Sequence, residues 1–225
     1  MRTGPPPHGD VHRLRRRGGR NDLWVSVDPT DVQRVSIDDP EERASGVDRH
    51  GLSDPLGTTD VAVNRYRLAP EFPGGLHAHA NQEEVFYVVE GEATFETLAR
   101  SDADRSSGEV TVGRGEAIRF APGEFQSGRN DSDGDLVALA IGAPRDGDDV
   151  RLPLACPECG REDVRLETGG DEPRLVCPDC GDERVPGACL DCGHEDLRVA
   201  LDEGNRTVVV CRGCGAAFDD PPLRD

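Results

Sequence analysis

His77, Ala78 and His79, with Glu84 five residues on and Gln126 further along, bring two imidazoles, a carboxylate and an amide into one stretch of short apolar runs. Side chains two apart on a β-strand share a face, so His77 and His79 can enter a single cavity. A turn at 80–82 would then set Glu84, on the following strand, beside them. Glu83 is the competing carboxylate; the spacing from Glu84 to Gly91 puts Glu84 at the foot of a hairpin strand. Two imidazoles and a carboxylate suit a divalent cation such as Fe, Mn, Zn or Ni, and leave coordination positions open for a ligand.

A second chemistry lies after residue 155. All eight cysteines fall into four Cys-X-X-Cys pairs, with seventeen residues lying between Cys159 and Cys177 and eighteen between Cys192 and Cys211. Each pair fits a tight turn that points two thiolates at one ion. The two sets are Cys156, Cys159, Cys177 and Cys180, then Cys189, Cys192, Cys211 and Cys214, and four thiolates give the closed tetrahedral coordination of structural zinc. The segment from Cys156 to Leu166 repeats as Cys189 to Val199, which indicates a duplicated unit with a period of 33 to 34 residues. That repeat supports pairing within each unit; exchange between units is the alternative. His194 is surplus to a complete set of ligands.

Strands must position these groups. Val61–Leu68, Glu84–Val89, Ala93–Leu98, Val110–Val112, Ala117–Phe120 and Leu136–Ile141 are β-rich runs separated by Gly and Pro turns, the pattern of an all-β sandwich or barrel. Ser101–Gly108 reads as a flexible loop, and Pro144–Asp149 as a charged linker. Residues 1–45, rich in Pro, Gly, Arg and Asp without sustained periodicity, read as a disordered tail. Within it Arg13, Arg15, Arg16, Arg17 and Arg20 form a basic run that reads as solvated and has nucleic-acid contact as its alternative.

The spacing His77-X-His79, four residues, Glu84, six residues, Gly91 resembles the first motif of the cupin superfamily. Gly115 to Gln126, with Pro122-Gly123 and then Asn130, resembles the second. The resemblance implies a small cupin barrel (a double-stranded β-helix, or jelly roll) over 46–147. Both cysteine units resemble zinc ribbons, at 153–183 and 186–217. Two positions depart from the motifs. Glu71 stands where a Gly is usual, and Gln126 where cupins carry a third histidine. An amide oxygen is a weaker, harder donor than imidazole, so three readings of Gln126 stand: a fourth ligand, a hydrogen-bond partner of a bound water or substrate, or the mark of a weakened site. Phe125, beside Gln126, is the candidate to line a ligand pocket. Arg65, Arg67 and Arg119 read as solvent-facing strand residues, with anion binding as the alternative.

Composition narrows the partners. The chain carries a formal charge of -19, and its 26 basic residues are all Arg. Such a surface stays hydrated in strong salt, so it reads as an intracellular protein of a salt-adapted organism. Absence of an 18-residue apolar run argues against a membrane span, the N-terminus lacks a secretory apolar stretch, and paired cysteines in an unexported chain favour metal over disulfides. Residues 151–225 hold 9 Arg against 17 Asp and Glu, which disfavours nucleic acid as the partner of the ribbons and favours a protein partner or support of the barrel. Two functions fit these residues. One is metal-dependent binding of a small molecule, with turnover of dioxygenase or isomerase type; the other is a non-enzymatic metabolite sensor whose ribbons dock a protein. Cupins commonly pair through their barrels, so a homodimer is implied by the resemblance.

Overall fold

Short runs that alternate apolar and polar side chains have one face to bury, and here they bury it against each other across two sheets. The computed structural model describes residues 32–37, 46–99, 106–147 and 149–224. Most of the tail, including its basic run, lies outside them. After β1 (Val47–Gly51) and a one-turn helix, α1 (Ser53–Leu56), come β2 (Ala62–Leu68), β3 (Ala78–His79), β4 (Glu83–Glu90), β5 (Glu92–Leu98), β6 (Ser107–Gly113), β7 (Ala117–Phe120), β8 (Phe125–Arg129) and β9 (Leu136–Ala143). One sheet runs β1-β2-β9-β4-β7 and faces a three-stranded sheet β6-β5-β8. Leu68, Val88, Ala93, Phe95, Phe120 and Leu136 fill the space between them.

Several expectations change here. The loop expected at 101–108 is shorter, because Ser107 and Gly108 already pair with Leu98 and Thr97. Glu71 takes a left-handed φ of 57°, so it adopts the backbone of the missing Gly and bears the steric cost of its Cβ. Asn130 is fully buried; its amide donates to the carbonyls of Leu68, Ala69 and Gly134, and its Oδ1 accepts from Ser132. It therefore ties the end of β2 to the turn before β9.

The supposed linker is not one. Gln82 donates to the carbonyl of Pro144 at 2.7 Å, and Arg145 bonds Asp54 and the carbonyl of Thr58, so the segment is pinned to the barrel. It leads into β10 (Val150–Leu152), which joins barrel to cysteine region in a six-stranded sheet, β17-β13-β12-β11-β10-β3. The other members are β11 (Val164–Glu167), β12 (Arg174–Val176), β13 (Glu183–Pro186) and the terminal β17 (Leu223–Arg224); the second cysteine unit adds β14 (Leu197–Leu201), β15 (Thr207–Cys211) and β16 (Ala217–Phe218). Sequence reasoning missed β10 because three residues are too few to show a period.

Neither cysteine unit has a core of its own size, and the fold answers by pooling. Leu76, Ala78, Leu98 and Phe125 from the barrel share one buried cluster with Leu154, Cys156, Val164, Leu175 and Cys177 of the first unit and Val199 and Val209 of the second. Barrel and cysteine region lie in one compact unit.

Candidate metal centre

β3 is a strand with two loyalties. His77 pairs with Gln126 of β8, and the carbonyl of His79 accepts from the Gly123 amide. On its other edge His79 and Ala78 pair with Val150 and Arg151 of β10, and the Leu76 amide donates to the carbonyl of Val199. Strand alternation then does the sorting. Leu76 and Ala78 point out into the pooled core, and His77 and His79 point into the barrel.

There the expected residues meet. One ligand atom each from His77, His79 and Glu84 lie within 4.8 Å of one another. Glu84 reaches them because the even positions of β4 (Glu84, Phe86, Val88) face the interior, whereas Glu83 faces out and accepts from Arg119. Gln126 is buried with its amide 3.3 Å from His77 Nε2 and 3.3 Å from Glu84 Oε2. Rotation of that amide about its last bond would turn its oxygen to the same point.

The residues fit a cation on their own chemistry. His77 Nδ1 lies 2.9 Å from the carbonyl of Gly75, which fixes the tautomer and frees Nε2 as a ligand atom. His79 lacks such a tether: Nδ1 is buried without a partner, and Nε2 lies 3.6 Å from Glu84 Oε2. Burial pushes the pKa of His77 down; burial, with the neighbouring His77, brings His79 down to about 4. Burial pushes Glu84 up to about 7, against the pull of Arg49. The site thus holds neutral imidazoles and a carboxyl group whose charge awaits a partner.

These values set a pH dependence. A metal needs the carboxylate form of Glu84, and protons compete for it below about pH 7, whereas His79 stays neutral down to about pH 4 and burial holds the pKa of His77 below its ordinary value as well. Apparent affinity for Mn(II) in the barrel should be level above pH 7.5 and fall up to about tenfold per unit below it. Calorimetric titrations between pH 5.5 and 8.5 check this, and Glu84→Gln should weaken binding while removing the slope.

The cavity reaching this centre measures about 540 Å³, the size of a metabolite site. Phe72, Phe86 and Phe95 give it apolar walls; Asn64, Tyr66 and Arg49 give it polar ones. Arg49 is held by Asn64 Oδ1 at 3.1 Å. Sequence reasoning missed Arg49, because its place depends on the register of β1 against β2, for which no motif stands. It also erred on Phe125. Neighbours on a strand face opposite ways, so with Gln126 inside, Phe125 points into the core shared with the ribbons rather than lining the cavity. Arg65 is likewise neither solvent-facing nor a cavity residue: it is buried on the outer face against Asp48. Arg67 and Arg119 face outward and pair with Asp135 and Glu83.

Residues 64–142 match the sequence profile of the Cupin_2 family, described as a cupin domain. The barrel is a cupin domain. Solved structures similar to the chain include an uncharacterized protein with a double-stranded β-helix domain from Klebsiella pneumoniae, at 17% identity, covering 48% of this chain and 84% of that one, with a TM-score of 0.37. Another is oxalate oxidase in complex with glycolate, at 19% identity over 60% of this chain and 65% of that one, just under two thirds, with a TM-score of 0.43. A third is oxalate decarboxylase from Bacillus subtilis, at 22% identity over 44% and 25%, with a TM-score of 0.38. No curated protein matches the sequence.

Beyond the cupin domain, each cysteine set converges within its own unit. Sulfur separations are 3.7 Å for Cys156–Cys180, 3.5 Å for Cys159–Cys177, 3.7 Å for Cys189–Cys214 and 3.6 Å for Cys192–Cys211. A disulfide would need about 2.05 Å, whereas a tetrahedron with Zn–S of about 2.3 Å has edges of about 3.8 Å. Two four-cysteine clusters thus fit zinc ribbons. Gly160, Gly181, Gly193 and Gly215, each following a pair, all take φ between 73° and 77°. Their amides donate back to the carbonyl of the first cysteine, closing the four turns alike.

Proposed function

We propose that this chain is a metal-dependent small-molecule-binding cupin whose two ribbons, each holding a structural zinc, support the strand that carries the histidines. The observation behind this reading is the convergence of His77, His79 and Glu84 on one point inside a metabolite-sized cavity. His77, His79 and Glu84 would hold the ion, and Gln126 would complete or tune the set. A divalent ion there supplies a Lewis acid with positions left for a chelating ligand. Around it this chain's own residues do the rest. Gly75 orients His77, the phenyl rings exclude water, and Arg49 offers a cation to an anionic group of the ligand. Turnover of dioxygenase or isomerase type belongs to the same reading.

The sensor reading, in which the ribbons dock a protein, draws less support, because the ribbons spend their apolar faces on the barrel. No helix among the described residues is long and apolar enough to cross a membrane. An all-Arg, strongly acidic composition and paired thiols support a cytoplasmic, salt-adapted protein. A homodimer through the barrels remains part of the proposal.

Mn(II) tests the open-position claim, because hard Mn(II) favours the barrel's oxygen and imidazole donors over zinc-filled thiolate sites. Bound Mn(II) should enhance the relaxation of solvent protons, small dicarboxylates should quench the enhancement, and His79→Ala should abolish it. Binding without enhancement would mean a closed centre, and a structural role for the ion.

A further inference from the structure

The barrel cavity has a second polar end, built on the edge strand β1. Arg49 of that strand pairs with Tyr66 of β2. Alternation turns Val47 and Arg49 toward the cavity and Asp48 to the outer face, where Asp48 meets Arg65. Arg49 stands exposed at the mouth, and the partner of its Nε is a neutral one, Asn64 Oδ1 at 3.1 Å on the same wall. Among the described residues no carboxylate forms an ion pair with it. Arg145, the other arginine of the cavity wall, is already engaged by Asp54 and the carbonyl of Thr58.

Little stands between this end and the metal centre. β9 runs between β2 and β4 in the sheet, and the residues it sets opposite Tyr66 and Asn64 are Ala138 and Ala140. Two methyl groups therefore lie where larger side chains would wall Tyr66 and Asn64 off from Phe86 and Glu84. The charge of Arg49 is accordingly felt at Glu84 across the cavity. A divalent ion held by Glu84 and two neutral imidazoles keeps one positive charge in excess, and Arg49 adds another at the far end. Two separated positive charges in one metabolite-sized cavity call for two negative charges on its ligand.

We propose that the ligand of the barrel is a small dicarboxylate, chelating the ion with one carboxylate and an adjacent oxygen and placing its second carboxylate on Arg49 beside Tyr66. This rests on the metal-dependent reading above and names the class of ligand that the site takes. With Nε held by Asn64, both Nη groups of Arg49 are left to donate to the two oxygens of a carboxylate. The Tyr66 hydroxyl supplies a further donor on the same wall, and the phenyl rings take the methylene groups between the two ends. A monocarboxylate would fill the positions at the ion and leave Arg49 without an anion. Arg49 is thus the specificity-determining residue of this reading.

Malate and 2-hydroxyglutarate are suitable probes of two lengths, each set against the monoacid that lacks only the second carboxylate, 2-hydroxybutanoate and 2-hydroxypentanoate. The full zinc-loaded chain with Mn(II) in the barrel is titrated with each acid, and loss of solvent-proton relaxation enhancement reports binding. At least one diacid should bind about tenfold more tightly than its monoacid, the worth of a charged hydrogen-bonded contact. Arg49→Gln should erase that advantage while the monoacid still binds, and Arg49→Lys should keep part of it. The proposal is overturned if neither diacid gains over its monoacid. It is also overturned if the gain survives Arg49→Gln, which would put the second carboxylate on the ion. Absence of any enhancement before an acid is added would instead overturn the metal-dependent reading, and this proposal with it.

Discussion

Cys156→Ser is expected to cost the protein two metal ions rather than one. Cys156 is almost fully buried and belongs to the same cluster as Leu76 and Ala78, the outward neighbours of the metal-binding histidines. A structural zinc contributes about 10 kcal/mol or more to a small domain of this type, far more than the apolar core of one ribbon can replace. With that contribution gone, β11 and β12 lose their anchor, β10 loses β11, and β3 loses the partner that pairs with Ala78 and His79. The side chain of His79 has no hydrogen-bond tether of its own, so its aim depends on the backbone beneath it. Loss of such outer supports typically weakens a metal site by 10–100-fold. Mn(II) affinity of the barrel should fall by that factor or more when the first ribbon loses zinc. Unchanged affinity would show that β8 and the Gly123 contact hold β3 without help from the ribbon. Cys214→Ser in the second ribbon should act more weakly, because β3 pairs with β10 and with no strand of that ribbon among the described residues; the ribbon supports it through the bond from Leu76 to Val199 and the packing of Val199 and Val209 in the shared core.

Gln126→His should strengthen the barrel site. The amide already lies 3.3 Å from both His77 Nε2 and Glu84 Oε2, so a ring at this position meets the ion without movement of the backbone. Replacing a weak amide donor by imidazole should raise affinity for Zn(II) or Ni(II) at least tenfold, and for Mn(II) by much less, because imidazole suits the former pair. Competition titrations with a chelator report both. Equal affinity before and after the change would place residue 126 outside the ion's coordination shell, as a hydrogen-bond partner of water or ligand.

How far these sites could be read from the sequence depended on how local their geometry is. The Cys-X-X-Cys turns are set by four or five residues each, and both clusters are where the spacing put them. His77-X-His79 and Glu84 were legible because a strand's two-residue period and a short turn suffice to bring them together. Phe125 went to the wrong side although the same period, applied from Gln126, would have sent it outward. Arg49 had no such marker: it enters the cavity only because β1 adds to the edge of β2. Least legible was the union of barrel and ribbons. Val150–Leu152 falls between the linker expected at 144–149 and the first ribbon, and its role appears only when β3 and β11 pair on either side of it. The four buried leucines that pool into one core, Leu76, Leu98, Leu154 and Leu175, come from four separate strands and loops, and no short window of sequence contains them together.

The central claim is that the cupin domain holds its own ion at His77, His79 and Glu84, apart from the ribbon zincs. Elemental analysis of the purified chain after equilibration with Mn(II) and removal of free metal tests it most directly, with His79→Ala measured in parallel. The expected result is three ions per chain, two zinc and one manganese, and two zinc alone in the variant. Two zinc ions in both proteins would contradict the claim, and would leave the barrel a scaffold whose histidines bind nothing.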